Sequence, residues 1–448
     1  MINHSERMLD RLENTLNDFD ASKRCEALRE IADLVESGQV EAVGVRDEVN
    51  LHFHSFFSYN AYGWSPSRIA WESRKYGLAV AGIVDFDVVD GMDEFLQAGE
   101  IIDIPTTVAL ETRVRIPEYA DKVISSPNEP GIGYYMAAGC FQKPSNKSGL
   151  KALENLKETA RKRNLQLLER VNDYLDPVRL DYDRDVLPLT PSGNATERHL
   201  LAAYDTKARI VMGDKVGEFW AKALGITAEE AEALLNDSAA LHEKMRSKLM
   251  KYGGVGYVAP TEDAFPEIKT VIQMSKDMAG LPTMTWLDGT NPGEADMPAL
   301  LGLVESMGTV AMNIVPDRNW NIKDAEEKRV KVENLDKAVR AARALDLPLC
   351  VGTELNKLGL PFVDDFSAPE LQPYVEEFMR GAYFFWGHTV LARKAGMGFA
   401  SDWADANFCS RAKKNDFYEK VGRLARPLVN MDSSLKDSTP EQVIKALG

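Results

Sequence analysis

Between residues 49 and 355 the chain repeats one alternation: a short apolar, β-branched run, then a stretch with apolar residues at helical spacing. Seven runs predict strands, at Val49–Ser55, Leu78–Phe86, Thr106–Val114, Gly133–Phe141, Leu281–Leu287, Gly308–Val315 and Leu347–Leu355. Each is short and apolar, as a strand buried on both faces should be. Amphipathic helices fit between most of them, for example at Pro66–Tyr76, Pro266–Met278 and Asp324–Leu345. Strands in βα alternation predict a parallel α/β sheet, most naturally a closed barrel, whose strand C-termini open onto one ligand-binding face.

Three stretches stand outside this alternation. Residues 1–48 read as a helical extension, with Met8, Leu12, Leu16 and then Leu28, Ile31, Leu34 at helical spacing, and residues 367–448 read as another. Residues from about 145 to 262 carry helical segments at Leu150–Leu175, Thr196–Lys207 and Ala228–Met250. That is far longer than a crossover requires, so it predicts a helical insertion over the mouth of a barrel spanning residues 49–366.

A hydrophobic share of 44% with 27% charged residues is that of a globular chain with an ample core, and excludes a disordered or collagenous one. The formal charge of −16 argues against a nucleic-acid polymer as partner, because phosphate backbones need clustered Lys and Arg. It leaves a small anionic substrate open, since a local cationic pocket or a metal overrides net charge. The four cysteines form no C-x-x-C pair and read as free thiols of a reducing compartment. The first residues lack the apolar core of a signal peptide, and no apolar run approaches a membrane span. The expected setting is cytoplasmic, with a small-molecule substrate, no membrane partner and an open oligomeric state.

The sharpest local signal is Leu51-His52-Phe53-His54-Ser55 at the end of the first predicted strand. Side chains two apart on a strand share a face, so His52 and His54 can grip one cation together; hydrogen-bonded core histidines are the alternative. The second signal is acidic residues at strand ends: Asp85, Asp87, Asp288 and Glu354, with Glu111 inside the apolar run Val108-Ala109-Leu110-Glu111. A buried Glu111 is costly unless paired or bound to metal. Single carboxylates at strand ends are often helix caps, but several on one barrel face point to a site. Aromatics crowd the same ends (Phe56, Phe57, Tyr59, Phe86, Trp286), either as core or as a stacking wall. Arg113, Arg115, Arg198, Arg318 and Lys357 are cations available to a substrate anion.

Taken in order, these pieces resemble the PHP (polymerase and histidinol phosphatase) superfamily, especially its small phosphoesterases acting on nucleotides. The H-x-H strand and polar turn of that family correspond to His52-Phe53-His54-Ser55-Phe56-Phe57-Ser58-Tyr59-Asn60-Ala61. Its T-D-H-D-T-x-x-G motif resembles Val84-Asp85-Phe86-Asp87-Val88-Val89-Asp90-Gly91, and its strand ending in Glu resembles Ala109-Leu110-Glu111. In the insertion, R-P-H-x-A looks like Glu197-Arg198-His199-Leu200-Leu201. The A-H-P strand is similar to Thr285-Trp286-Leu287, and the closing G-S-D-x-H to Gly352-Thr353-Glu354-Leu355-Asn356. The resemblance spans residues 49–366 and implies a distorted seven-stranded barrel carrying metals that activate water for phosphoester hydrolysis.

Several ligands of the family's three-metal cluster are replaced: its histidines stand as Phe86, Trp286 and Asn356, its turn aspartate as Tyr59 or Asn60, and a further histidine as Tyr134, Tyr135 or Met136. Phe and Trp cannot ligate a metal, and Asn is a poor substitute for imidazole. His52, His54, Glu111 and Glu354 match the residues that hold one of the metals. The resemblance thus implies a single divalent ion (Zn, Mn or Fe) held by those four. Asp85, Asp87 or Asp288 are then the candidate general bases, and Arg113 or His199 the groups that orient an anionic or hydroxyl-rich substrate. The opposing expectation is a catalytically silent barrel serving ligand binding or a structural role, in which lost ligands need no repair.

Overall fold

The computed structural model describes residues 4–261, 264–428, 435–436 and 438–448. Seven strands form one sheet in chain order: β1 (Val49–Phe53), β2 (Val80–Phe86), β3 (Thr106–Arg115), β4 (Ile132–Ala138), β5 (Leu281–Trp286), β6 (Ala311–Ile314) and β7 (Leu349–Val351). Their residues are almost all buried, because each strand is covered on both faces. Just past β7 the backbone rejoins the start of the sheet. His54 N–H donates to the Glu354 carbonyl (2.8 Å) and Glu354 N–H to the His52 carbonyl (2.7 Å), leaving a nearly closed, distorted barrel.

One strand departs from the all-parallel expectation. β4 runs antiparallel to both β3 and β5, whereas the remaining neighbours pair in parallel. The reason lies in the connection after β3, residues 116–131, which holds only the short 3-10 helix Pro117–Tyr119. A parallel return needs the chain to cross to the opposite end of the sheet, and this segment instead turns back at the mouth, where Ile116 N–H donates to the Gly131 carbonyl (2.8 Å). β4 therefore starts at the mouth and ends at the opposite face, where Ala138 pairs with Leu281, the first residue of β5.

The insertion starts from that lower face. The 28-residue helix Lys147–Tyr174, about 42 Å long, has Gly149 packed beside Asp277 at its base and Arg163 beside Asp87 at the mouth. Its distal half joins helices Glu197–Met212, Val216–Leu224, Ala228–Leu235 and Ser238–Leu249 around a hydrophobic cluster separate from the barrel core, with Val171, Tyr204, Trp220 and Leu241 fully buried. The insertion is pinned to the mouth by Asn194, whose amide donates to the carbonyls of Phe57 (3.0 Å) and Phe86 (2.8 Å), and by Ser192, which donates to Asp90 (2.6 Å).

Helices His4–Thr15 and Ala21–Glu36 pack at one side, and the long helix Val375–Ala395 closes the bottom. A Cβ on Gly381 would lie 1.9 Å from the Leu349 carbonyl, so only glycine lets that helix approach β7. No helix among the described residues is long and apolar enough to cross a membrane.

Candidate metal centre

β1 delivers His52, and the residue after its last carries His54 to the same side; β3 delivers Glu111 in register with Phe86 of β2. The Nε2 atoms of His52 and His54 lie 3.7 Å and 3.9 Å from the same carboxylate oxygen, Oε2 of Glu111. The three groups are buried, and the ligand atoms they offer all lie within 4.8 Å of one another. Neither Nε2 has a hydrogen-bond partner among the described residues.

The other face of each ring explains why. His54 Nδ1 meets Ser58 Oγ at 3.1 Å, and that hydroxyl donates its only proton to Asp85 Oδ1 (2.6 Å). Ser58 can then only accept from His54, so the ring proton sits on Nδ1 and the Nε2 lone pair faces inward. His52 is oriented likewise by the Asn313 side-chain oxygen, 3.2 Å from Nδ1. Two imidazole nitrogens and a carboxylate oxygen thus converge on one buried point. At 3.7–3.9 Å these atoms are too far apart to hydrogen-bond, yet near enough to share one ion at about 2.1 Å from each. Burial and the charge of His52 push His54 down to about 3. Burial also opposes a charge on His52, but Glu111 and Glu354 together lift it above its ordinary value.

Glu354 is the exception to the expected four-residue set. The predicted strand through Leu355 stops at Val351, and Glu354 and Leu355 take left-handed backbone (φ 66° and 51°). The carboxylate is held by Arg318 at 2.9 Å and lies outside the converging trio. Burial alone would raise it, but Arg318 and the two histidines hold it at about 2. Gly352 makes this crowding feasible, since a Cβ there would lie 2.2 Å from Asn50 Oδ1 and 2.5 Å from His52 N.

The candidate bases are all engaged. Asp85 accepts from Ser55 N–H (2.9 Å), Ser55 Oγ (2.6 Å) and Ser58, and so positions His54 instead of facing a substrate. Asp87, with φ 62°, accepts from Thr112 Oγ1 (2.6 Å) and has Arg163 3.9 Å away. Asp288 takes the Thr290 N–H and hydroxyl and pairs with Lys331 at 3.2 Å. His199 caps its own helix, Nδ1 accepting from Thr196 N–H (3.1 Å), and sits edge-on to Tyr59 at 5.0 Å; burial pushes it down to about 4. Arg113 is on the mouth side of Glu111 along β3, paired with Glu129 at 2.9 Å.

The two aromatic replacements lie on opposite sides of the sheet: Thr285 donates to Glu111 Oε1 (3.4 Å), so its neighbour Trp286 faces away from the centre, whereas Phe86 lies against it. Phe86 stacks on His54 (4.5 Å between ring centroids, 23° between planes), and Trp286 is fully buried at the end of β5. Sequence reasoning passed over Ser58, Asn313 and Arg163. The first two are ordinary polar residues until the fold places them behind the histidines. Arg163 is one cation among many on a polar helix. Two further buried carboxyls also went unmarked: Glu294, which takes Leu287 and Gly289 N–H (3.1 Å each), and Asp364 in the loop after β7.

This architecture has known counterparts. An amidohydrolase from Chromobacterium violaceum, whose structure holds sulfate and no metal, matches with a TM-score of 0.50 at 15% identity, over 75% of this chain and 96% of its own. A candidate metal-dependent phosphoesterase from Bifidobacterium adolescentis matches at 0.48 and 18% identity, over 74% and 97%. The likeness is one of fold. No family model matches the sequence, and no curated protein does.

Proposed function

We propose that this chain is a metal-dependent hydrolase of the PHP type, reduced to a single-metal centre and acting on a phosphoester of a small anionic substrate. The carrying observation is the pair of orphaned, inward-facing Nε2 atoms aimed at one buried carboxylate oxygen. Two imidazoles and a carboxylate are a donor set that Zn²⁺, Mn²⁺ or Fe²⁺ takes, so His52, His54 and Glu111 would hold the ion. An ion there supplies Lewis acidity. The order of the family motifs along residues 49–366 supports the PHP reading.

The chain's own residues supply the surroundings. Phe86, stacked on His54, covers one side of the centre with an apolar ring. Ser58, Asp85 and Asn313 lock the histidine rings, so little reorganisation accompanies binding. Glu354 stays ionised beside the centre, and Arg318, paired with it, presents a side chain that is 45% exposed at the mouth. Arg113 provides positive charge where a substrate anion would enter.

The test is hydrolysis of p-nitrophenyl phosphate and its bis-ester by chelator-stripped protein reloaded with Zn²⁺, Mn²⁺ or Fe²⁺. Hydrolysis is expected to return with one of these ions and to fall at least about a hundredfold in Glu111→Ala. Hydrolysis that survives Glu111→Ala would contradict the reading. Tight metal binding without cleavage of either ester would favour the silent barrel.

A further inference from the structure

Beyond the histidine centre, the mouth contains a cationic arrangement built jointly by barrel and insertion. Arg113 of β3 lies against one ring, Phe265, with its guanidinium carbon 4.2 Å from the centroid. Arg163, from the insertion helix Lys147–Tyr174, lies against the same ring at 4.7 Å. Arg246 and Lys251, at and after the end of helix Ser238–Leu249, join the group through Glu197, at 3.1 Å and 3.4 Å. These four cations face three carboxylates among the described residues: Glu129, Glu197 and Asp87.

Neutralisation is uneven. Glu129 is already engaged by Ser126 (2.6 Å) as well as Arg113, and Asp87, nearest to Arg163, sits beyond hydrogen-bond distance at 3.9 Å. Burial, and then the charge of Arg113, bring Arg163 down to about 10. The side chains of Arg113, Arg163 and Lys251 nevertheless remain 23%, 31% and 41% exposed, so the group is partly open to solvent, with one Arg163 donor taken by the Ala264 carbonyl (3.2 Å). Position along the strand fixes the relation to the centre. Arg113 follows Glu111 by two residues, so both side chains project from the same face of β3.

We propose that the Arg113–Phe265–Arg163 stack, with Lys251 at its rim, binds the anionic group of the substrate, a phosphate or a carboxylate, about 7 Å along β3 from Glu111. This deepens the hydrolase reading and rests on it for the reacting group. The substrate class is then a small molecule with two separated polar ends, one an anion at the insertion and the other the ester at the centre. Planar guanidiniums suit this task, because they offer paired N–H donors to phosphate and carboxylate oxygens. The insertion helix thereby acts in recognition, and a substrate without the remote anion would bind poorly.

The experiment is calorimetric titration of the chelator-stripped full chain with inorganic phosphate and, separately, malonate. At least one probe is expected to bind, with affinity falling tenfold or more in Arg163→Gln and unchanged in Arg340→Gln, an exposed arginine on the helix Ala325–Ala344. Binding of phosphate alone assigns a phosphate end, and binding of malonate alone a carboxylate end. Should Arg163→Gln not fold, Arg163→Lys and Lys251→Gln carry the comparison, each expected to weaken the probe. Absence of binding by both probes, or Arg163 variants that bind as tightly as the native chain, would overturn the proposal. Because metal is stripped, that failure is distinct from loss of metal binding in Glu111→Gln.

Discussion

Replacing His52 or Glu111 by Ala is expected to lower affinity for a divalent cation by at least about a hundredfold, because each change removes one of three donors that converge on a single point. Equilibrium dialysis with metal analysis reads this directly. Thermal melts give a second readout, since an ion bound only by the folded state raises the melting temperature as its concentration exceeds the dissociation constant. Both variants should lose that rise. Ser58→Ala, which touches no ion but frees His54 Nδ1 and takes a donor from Asp85, is expected to weaken binding by about tenfold to a hundredfold. Native-like metal affinity in Glu111→Ala would show that the three atoms meet without functional consequence.

The second large effect concerns stability and pH. Asp364 is 1% exposed, and neither of its carboxylate oxygens has a hydrogen-bond partner among the described residues. Burial, with the nearby charge of Asp317, pushes its carboxyl up to about 8. The folded state therefore binds this proton more tightly than the unfolded chain does. Stability contributed by the protonated form is full below the unfolded value near 4 and is lost as pH rises towards about 8. Asp364→Asn does not titrate. Its stability relative to the native chain is expected to improve by about 3 kcal/mol between pH 6 and pH 9. Urea denaturation at the two pH values measures the difference. A gap that stays constant with pH would mean that Asp364 is solvated or paired in solution.

The parts of this molecule legible in the sequence are those written in local pattern. Short apolar runs gave the seven strands, and a two-residue spacing on one of them placed His52 and His54 side by side. Glu111 stood out because a carboxylate inside an apolar strand needs a partner. What stayed hidden depends on chain direction and on distant loops. The reversal of β4 follows from a connection that turns back at the mouth without a crossover helix, a feature that apolar periodicity alone does not register. Glu354 reads in the sequence as a fourth ligand, and nothing local signals that the short helix Asp317–Trp320 after β6 brings Arg318 to its carboxylate. Asp85 had the look of a strand-end base, yet three donors from Ser55 and Ser58 bind it as a structural anchor. Arg163 carries no signature at all, because its role arises only when a long helix climbs from the lower face to the mouth.

The most direct test of the central claim is X-ray absorption spectroscopy on the chain reloaded with Zn²⁺ and dialysed, with total metal measured on the same sample. The account predicts close to one ion per chain, whose first coordination shell shows imidazole scattering from two histidines at about 2.0–2.1 Å, lost in His52→Ala. Less than a tenth of an ion per chain, or a bound ion without imidazole neighbours, would contradict it.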